Sequence, residues 1–209
     1  TTYVLGPAMA SDDAGTLWCR SLRTTSLWDW SSKPCVALTY YTVRPSASNI
    51  LGSSEAFALT SGQQLSAATD MMSAYGDCTN STGYLWFAPT STSNVERLTI
   101  TKCKAIGDKK VFNAPASNGS RRAYVKQYNS NKVLWNQSAS GSTTNELYVG
   151  SINESTSTIS WKGTGLKACR YGSTAFMLGG KEIIAYSKST TSIEIYNYIL
   201  STPELQYDN

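Results

Sequence analysis

The side chains best able to do chemistry are cations gathered in one stretch. Residues 97–132 hold nine basic residues, Arg97, Lys102, Lys104, Lys109, Lys110, Arg121, Arg122, Lys126 and Lys132, against one acid, Asp108. The flanks are mildly acidic, net −3 over residues 1–96 and −1 over 133–209, within an overall charge of +4. Such a block can form an electropositive surface for sulfated or sialylated glycans or for an acidic protein patch. The same lysines on a solvated β face would only keep edge strands from pairing with other chains. Nucleic acid is set aside, because a pI near 8.7 lies below the usual basic footprint and no RNP, KH or zinc-knuckle motif occurs.

Aromatic residues are the second signal. Trp28-Asp29-Trp30 sits between Ser/Thr-rich flanks in a stretch that reads as loop. Tyr40-Tyr41 is adjacent on a strand, so one ring must point outward. Tyr124 and Tyr128 share one strand face, as do Tyr196 and Tyr198. Exposed rings beside polar groups hold sugars and protein partners, while the competing assignment is core or cross-strand packing. The candidate binding residues are therefore Lys102, Lys104, Lys109, Lys110, Arg121, Arg122, Tyr124, Lys126 and Tyr128, with Trp28 and Trp30.

Catalysis is hard to build from this chain. Histidine is absent, which removes Ser-His-Asp and Cys-His pairs and every histidine-ligated metal site. No two acids are nominated as a glycosidase pair, Asp12-Asp13 alone is too little for calcium, and Gly163-x-Gly165 and Gly179-Gly180 lack phosphate-loop spacing. The expectation is a non-enzyme with no cofactor and no metal.

Five cysteines, Cys19, Cys35, Cys78, Cys103 and Cys169, contain no CxxC. An odd count at irregular spacing fits free buried thiols made in a reducing compartment, with up to two disulfides left open. Asn80, Asn118, Asn136 and Asn153 open N-x-S/T sequons. Ser and Thr make up about a quarter of the chain, so chance alone gives about three and the sequons do not argue for secretion.

Most of the 209-residue chain that must position these residues reads as short strands between Gly, Asn, Ser and Thr turns. Strands are expected at 16–22, 35–43, 55–60, 83–88, 95–104, 109–113, 121–128, 132–136, 146–152, 157–162, 166–171, 174–178, 181–187 and 192–200. Gly107-Asp108, Gly172-Ser173 and Gly179-Gly180 have the chemistry of tight hairpin turns, making 157–200 a meander of about five strands. In the last strand Ile193, Ile195 and Ile199 share one face and Glu194, Tyr196 and Tyr198 the other. One helix is expected: Ser61…Gln64 has capping-box spacing, Leu65, Ala68, Met72 and Tyr75 recur at helical intervals, and Gly76 supplies the stop. No repeat or linker divides the chain, so 1–209 is expected to be one all-β domain, an antiparallel barrel or sandwich with one short helix. No apolar run approaches the ~20 residues of a membrane span. Starting at Thr1 without a signal peptide, the chain reads as a domain cut from a longer protein.

A histidine-free, Ser/Thr/Tyr-rich β domain of this size with unpaired-looking cysteines resembles the spike domain of an astrovirus capsid protein of the avian type. The polar, acidic close Thr202-Pro203-Glu204-Leu205-Gln206-Tyr207-Asp208-Asn209 is similar to the passage from such a spike into an acidic region. Gly15-Thr16-Leu17-Trp18 resembles the opening of an adenovirus fibre head, although Cys19 stands where a Thr usually follows and no shaft-like repeat precedes it. Both resemblances imply synthesis in the host cytoplasm, display on the virion surface and attachment to a host-cell receptor, glycan or protein, without membrane insertion. They differ in symmetry: a spike implies a homodimer and a fibre head a trimer. A free-standing lectin or carbohydrate-binding module is the alternative from another class.

Overall fold

The computed structural model describes residues 5–22, 35–43, 51–67, 71–89, 92–116, 122–138, 144–169, 172–199 and 202–208. Among the described residues sixteen strands fall into four antiparallel sheets of four, each sheet a simple up-and-down meander. The first sheet holds β1 (Leu5–Ser11), β2 (Leu17–Leu22), β3 (Cys35–Val43) and β4 (Leu51–Ala58). The second holds β5 (Met72–Tyr75), β6 (Thr82–Phe87), β7 (Asn94–Thr101) and β8 (Lys104–Asn113). The third holds β9 (Arg122–Asn129), β10 (Lys132–Ser138), β11 (Thr144–Asn153) and β12 (Thr158–Cys169), and the fourth β13 (Ser173–Leu178), β14 (Lys181–Ser187), β15 (Ile193–Ile199) and β16 (Thr202–Asp208). First strands touch in succession, β1 with β5, β5 with β9 and β9 with β13, so the sheets stand as blades in a propeller-like ring. The protein is all-β and antiparallel as expected, but its strands divide among four sheets rather than one barrel or two sandwich layers.

Blade packing follows from strand alternation. Along β6, Leu85 and Phe87 join a core with Trp18 and Leu38 of the first sheet, while Trp86 between them joins Val125, Val133 and Trp135 of the third. Along β10, Val133 and Trp135 face the second sheet, and Leu134 faces Ala175, Ile184 and Tyr186 of the fourth. Strands covered on both faces must be apolar at successive positions, which is why Leu85-Trp86-Phe87 and Val133-Leu134-Trp135 are unbroken apolar runs. Fully burying side chains of this size contributes about 1.5–3 kcal/mol each, so three inter-blade cores dominate the stability. Polar contacts set their register: Trp86 Nε1 donates to Gln127 Oε1 at 2.9 Å, and Asn113 exchanges hydrogen bonds of 2.8 and 2.9 Å with the Ile159 backbone.

The expected helix is absent from the described residues in its span. Gln63 and Gln64 N–H groups both bond the Thr60 carbonyl, and Gln63 Oε1 accepts from Thr60 N–H, so the cap forms one residue early. It closes a single turn. Gln63 Nε2 then donates to the Gly107 carbonyl and the Lys109 N–H to the Gly62 carbonyl, tying that turn to β8, and Met72–Tyr75 is strand. Leu65 and Met72 do share a core, but as loop and strand, because a buried strand lead wins over local helical spacing.

Two of the three hairpin assignments also change. Gly107-Asp108 lies inside β8 as an irregularity opposite β7, and the turn is Lys102-Cys103, with φ of 50° and 63°. Gly172-Ser173 joins two different sheets, so the last meander is β13–β16 and β12 belongs to the blade before it. Gly179-Gly180, with φ of 56° and 77°, does turn the β13–β14 hairpin. In β15 it is Glu194 that is buried at 3% exposure, while Ile193 is 50% exposed. Glu194 is bonded by the Tyr186 and Tyr196 hydroxyls and by Lys188, and Asn197 on the isoleucine face is equally buried, so β15 buries a polar residue on each face.

Candidate functional site

The four first strands converge on a central cavity of about 390 Å³. β1 supplies Met9, Ala10 and Ser11; the β5 segment supplies Met71, Met72, Ser73 and Ala74; β9 supplies Tyr124 and Lys126; and β13 supplies Ser173. Tyr124 and Lys126 share a strand face because they are two residues apart, while Ala123, Val125 and Gln127 are buried on the opposite face. Among the described residues of the lining none carries a negative charge.

Lys126 is half-buried, and its Nζ donates to Thr174 Oγ1 at 2.9 Å. Burial pushes its pKa down, opposed by the negative charge of Asp13. Burial likewise pushes the Tyr124 phenol up to about 12, so it stays a neutral donor across the physiological range. Ser73 spends its hydroxyl on the Val125 carbonyl. Ser173 Oγ accepts from Asn136 Nδ2 at 2.7 Å, which leaves its own hydroxyl hydrogen free to turn toward the cavity. Asn136 is fully buried with Oδ1 unpaired, so this sequon asparagine is closed to glycan addition. The wall therefore offers N–H and O–H donors above methionine and alanine side chains, a setting for an anion with a small apolar body.

The other candidate residues are dispersed. Lys102 and Lys104 are exposed at the β7–β8 turn. Lys109 Nζ lies 3.1 Å from buried Glu96 and 2.9 Å from Ser66 Oγ. Lys110 Nζ lies 2.9 Å from Glu154. Tyr128 is 5% exposed, packs in the core between the third and fourth sheets, and donates to Glu182 at 3.2 Å. Arg122 opens β9, while Trp28, Trp30 and Arg121 lie outside the described residues. Tyr40 and Tyr41 are both half-buried, and the Tyr40 hydroxyl is spent on Glu55 at 2.5 Å, a bond that with burial raises its pKa to about 12. Of the expected residues, then, the structure brings Tyr124 and Lys126 together and commits Lys109 and Lys110 to internal ion pairs.

Met9, Met71, Met72, Ser73 and Ser173 are not among the binding residues expected from the sequence, where Met72 reads as part of a helix and Ser173 as part of a turn. They come from a strand not foreseen (β1), a strand whose residues carry helical spacing (β5) and the first residue of β13, and only the meeting of blades joins them. Among the described residues no three His, Cys, Asp or Glu side chains group as a metal site, and no helix is long and apolar enough to cross a membrane.

No protein-family model matches the chain, and no curated protein matches it. Solved structures overlap it loosely. A tryptophan-to-alanine variant of the Synechocystis apocarotenoid oxygenase gives a TM-score of 0.48 at 10% identity, over 99% of this chain and 51% of that one. A glutamate-to-aspartate variant of the same oxygenase gives 0.45 at 10%, over 99% and 50%. A prolyl endopeptidase gives 0.41 at 12%, over 97% of this chain and 34% of its own. The chain spans about half the length of the oxygenase chains it overlaps. Likeness this distant carries no argument about activity.

Proposed function

We propose that this is a non-enzymatic attachment domain, displayed at the surface of a particle as a homodimer, that holds an acidic glycan of a host-cell receptor in its central cavity. One observation supports the reading above the rest: among its described residues the cavity lining combines a single half-buried ammonium, a phenol and hydroxyls with three methionines, and holds no carboxylate. One desolvated cation is matched by one negative charge, which favours a monoanionic carboxylate over a doubly charged phosphate. The volume equals on the order of a dozen water molecules, room for one sugar ring whose N-acetyl methyl rests on the methionine side. The described lining residues include no carboxylate pair of the kind a glycosidase uses as acid and base. Resemblance to capsid spike domains supplies the host-cell setting and the dimer.

The test is binding of the methyl glycoside of N-acetylneuraminic acid, followed by NMR line broadening. Binding to the wild type, and its loss in Lys126→Met, are the expected results. The methyl ester of the same sugar, which lacks the charge, should not bind. Lys102→Glu with Lys104→Glu should bind as the wild type does. Equal binding of acid and ester, or an unaffected Lys126→Met, would overturn the cavity as the site. A monomeric solution mass would remove the dimer from the proposal.

A further inference from the structure

Cys78 and Cys103 are 25 positions apart in sequence and neighbours in space. Cys78 lies in the connection between β5 and β6, and Cys103 is the second residue of the β7–β8 turn. The Cys103 N–H donates to the Cys78 carbonyl at 3.2 Å. A single backbone bond of this length holds the two Cα atoms within about 7 Å of each other, close to the ~4.4–6.8 Å that a disulfide spans. Both side chains are buried in the same core, and Cys103 Sγ reaches Thr79 Oγ1, on the residue next to Cys78, at 3.8 Å. Both thiols are free.

We propose that Cys78 and Cys103 form a latent disulfide, which closes when the folded domain passes from a reducing compartment to an oxidising one and staples the β5–β6 connection to the β7–β8 turn. The oxidant is a small disulfide of the glutathione class. The Cys103 thiolate attacks one sulfur of oxidised glutathione, forming a mixed disulfide and expelling one glutathione thiolate. The Cys78 thiolate then displaces the second. Two protein thiols and one oxidised glutathione give one protein disulfide and two reduced glutathiones, with the two thiol protons passing to the expelled thiolates.

Burial keeps both thiols protonated at neutral pH, with Cys78 pushed up to about 12 by burial and by the charges of Asp12, Asp13 and Asp77. The pair therefore stays quiet during synthesis and closes slowly, as the turn opens. Cys103 is the thiol that attacks the oxidant first, because it sits at a two-residue surface turn and retains 7% exposure against none for Cys78.

The experiment incubates the folded, full-length protein with oxidised and reduced glutathione at mildly alkaline pH, then alkylates and maps peptides by mass. The expected product is a Cys78–Cys103 cross-linked peptide with two hydrogens lost, and a melting temperature raised by roughly 5–10 °C for a loop of this length. Cys78→Ser and Cys103→Ser should each abolish the cross-link, and Cys19→Ser should keep it. Because the wild-type peptide map decides by itself, the outcome survives a serine variant that fails to fold. Cys78 and Cys103 recovered as alkylated or singly glutathionylated residues, or bridged instead to Cys19, Cys35 or Cys169, would overturn the proposal.

Discussion

Arg97 and Glu154, 57 positions apart, are joined across the second and third blades by two hydrogen bonds of 2.5 and 3.0 Å. The guanidinium is 5% exposed and lies 4.0 Å above the Tyr84 ring centroid, with Phe112 and Trp86 at 5.2 and 5.4 Å. A planar cation between rings suits arginine, whose fork meets a carboxylate with two parallel bonds while its faces stack. Lys110 closes on the same carboxylate from β8. The hold between these blades is thus electrostatic at the β11–β12 turn and apolar beneath it.

Arg97→Lys should cost more stability than its charge-conserving chemistry suggests, because an ammonium neither stacks nor forks. Glu154→Gln leaves the buried cation facing a neutral amide, and with Glu154 half-exposed the expected loss is roughly 1–2 kcal/mol. Urea midpoints of the two variants measure both. An Arg97→Lys midpoint equal to the wild type would show that the stacking contributes nothing.

The same pair makes stability depend on pH. Hydrogen bonds from Arg97, helped by Lys110 and opposed by partial burial, hold the Glu154 carboxyl near 2 against an ordinary 4.5. A carboxyl whose folded pKa lies below its unfolded one contributes stability that is fully present above the unfolded value and lost as pH falls through the folded value. The gap in urea midpoint between wild type and Glu154→Gln should therefore hold from pH 7 to about 5 and shrink between about 4.5 and 2. A gap that ignores pH would mean the charge is not what binds the blades.

Gly83 is a site where a single methyl should matter. A Cβ there would stand 2.5 Å from Cys78 Sγ and 2.6 Å from the Tyr75 carbonyl oxygen, and backbone cannot yield as a flexible side chain would. Gly83→Ala should lose about 1–3 kcal/mol. Gly107→Ala meets no atom within 4 Å and is strained only by its φ of +63°, so it should lose only about 1 kcal/mol. Chemical denaturation of the pair separates crowding from backbone strain, and equal losses would refute the crowding argument.

Lys126 should be dispensable for folding. Its ammonium gives up hydration for one hydroxyl partner, so Lys126→Met should melt at or above the wild-type temperature in the absence of ligand. A drop of more than a few degrees would recast Lys126 as a structural residue and weaken its assignment to ligand binding.

Much of the fold was legible because strands covered on both faces announce themselves as apolar runs. The segments around Leu85, Val133 and Ile184 were assigned with ends within a few residues of those observed. β1 and β16 were missed because Leu5–Ser11 and Thr202–Asp208 are short on β-branched residues and each carries a proline. β5 was masked by chance helical spacing of Leu65, Met72 and Tyr75. Blade number and the central cavity were not legible at all, since alternation says which residues share a face but not which face meets which blade. The basic block was visible as composition, yet Glu96 and Glu154, which take up Lys109 and Lys110, lie outside it, one just before it and the other more than 40 residues after Lys110.

Each blade is drawn from one unbroken stretch of chain: 5–58, 72–113, 122–169 and 173–208. During synthesis a blade can zip together as soon as its own last strand emerges, with no wait for a distant partner, and such local pairing is fast. Its outer face stays bare until the next blade arrives. A nascent chain halted after Asn113 would present the Trp86 and Phe112 face with nothing against it, and one halted after Cys169 would present Leu134 and Leu147. Premature termination at a blade boundary therefore yields a folded fragment with a sticky side rather than an unfolded one, a species that chaperones must cover or proteases remove.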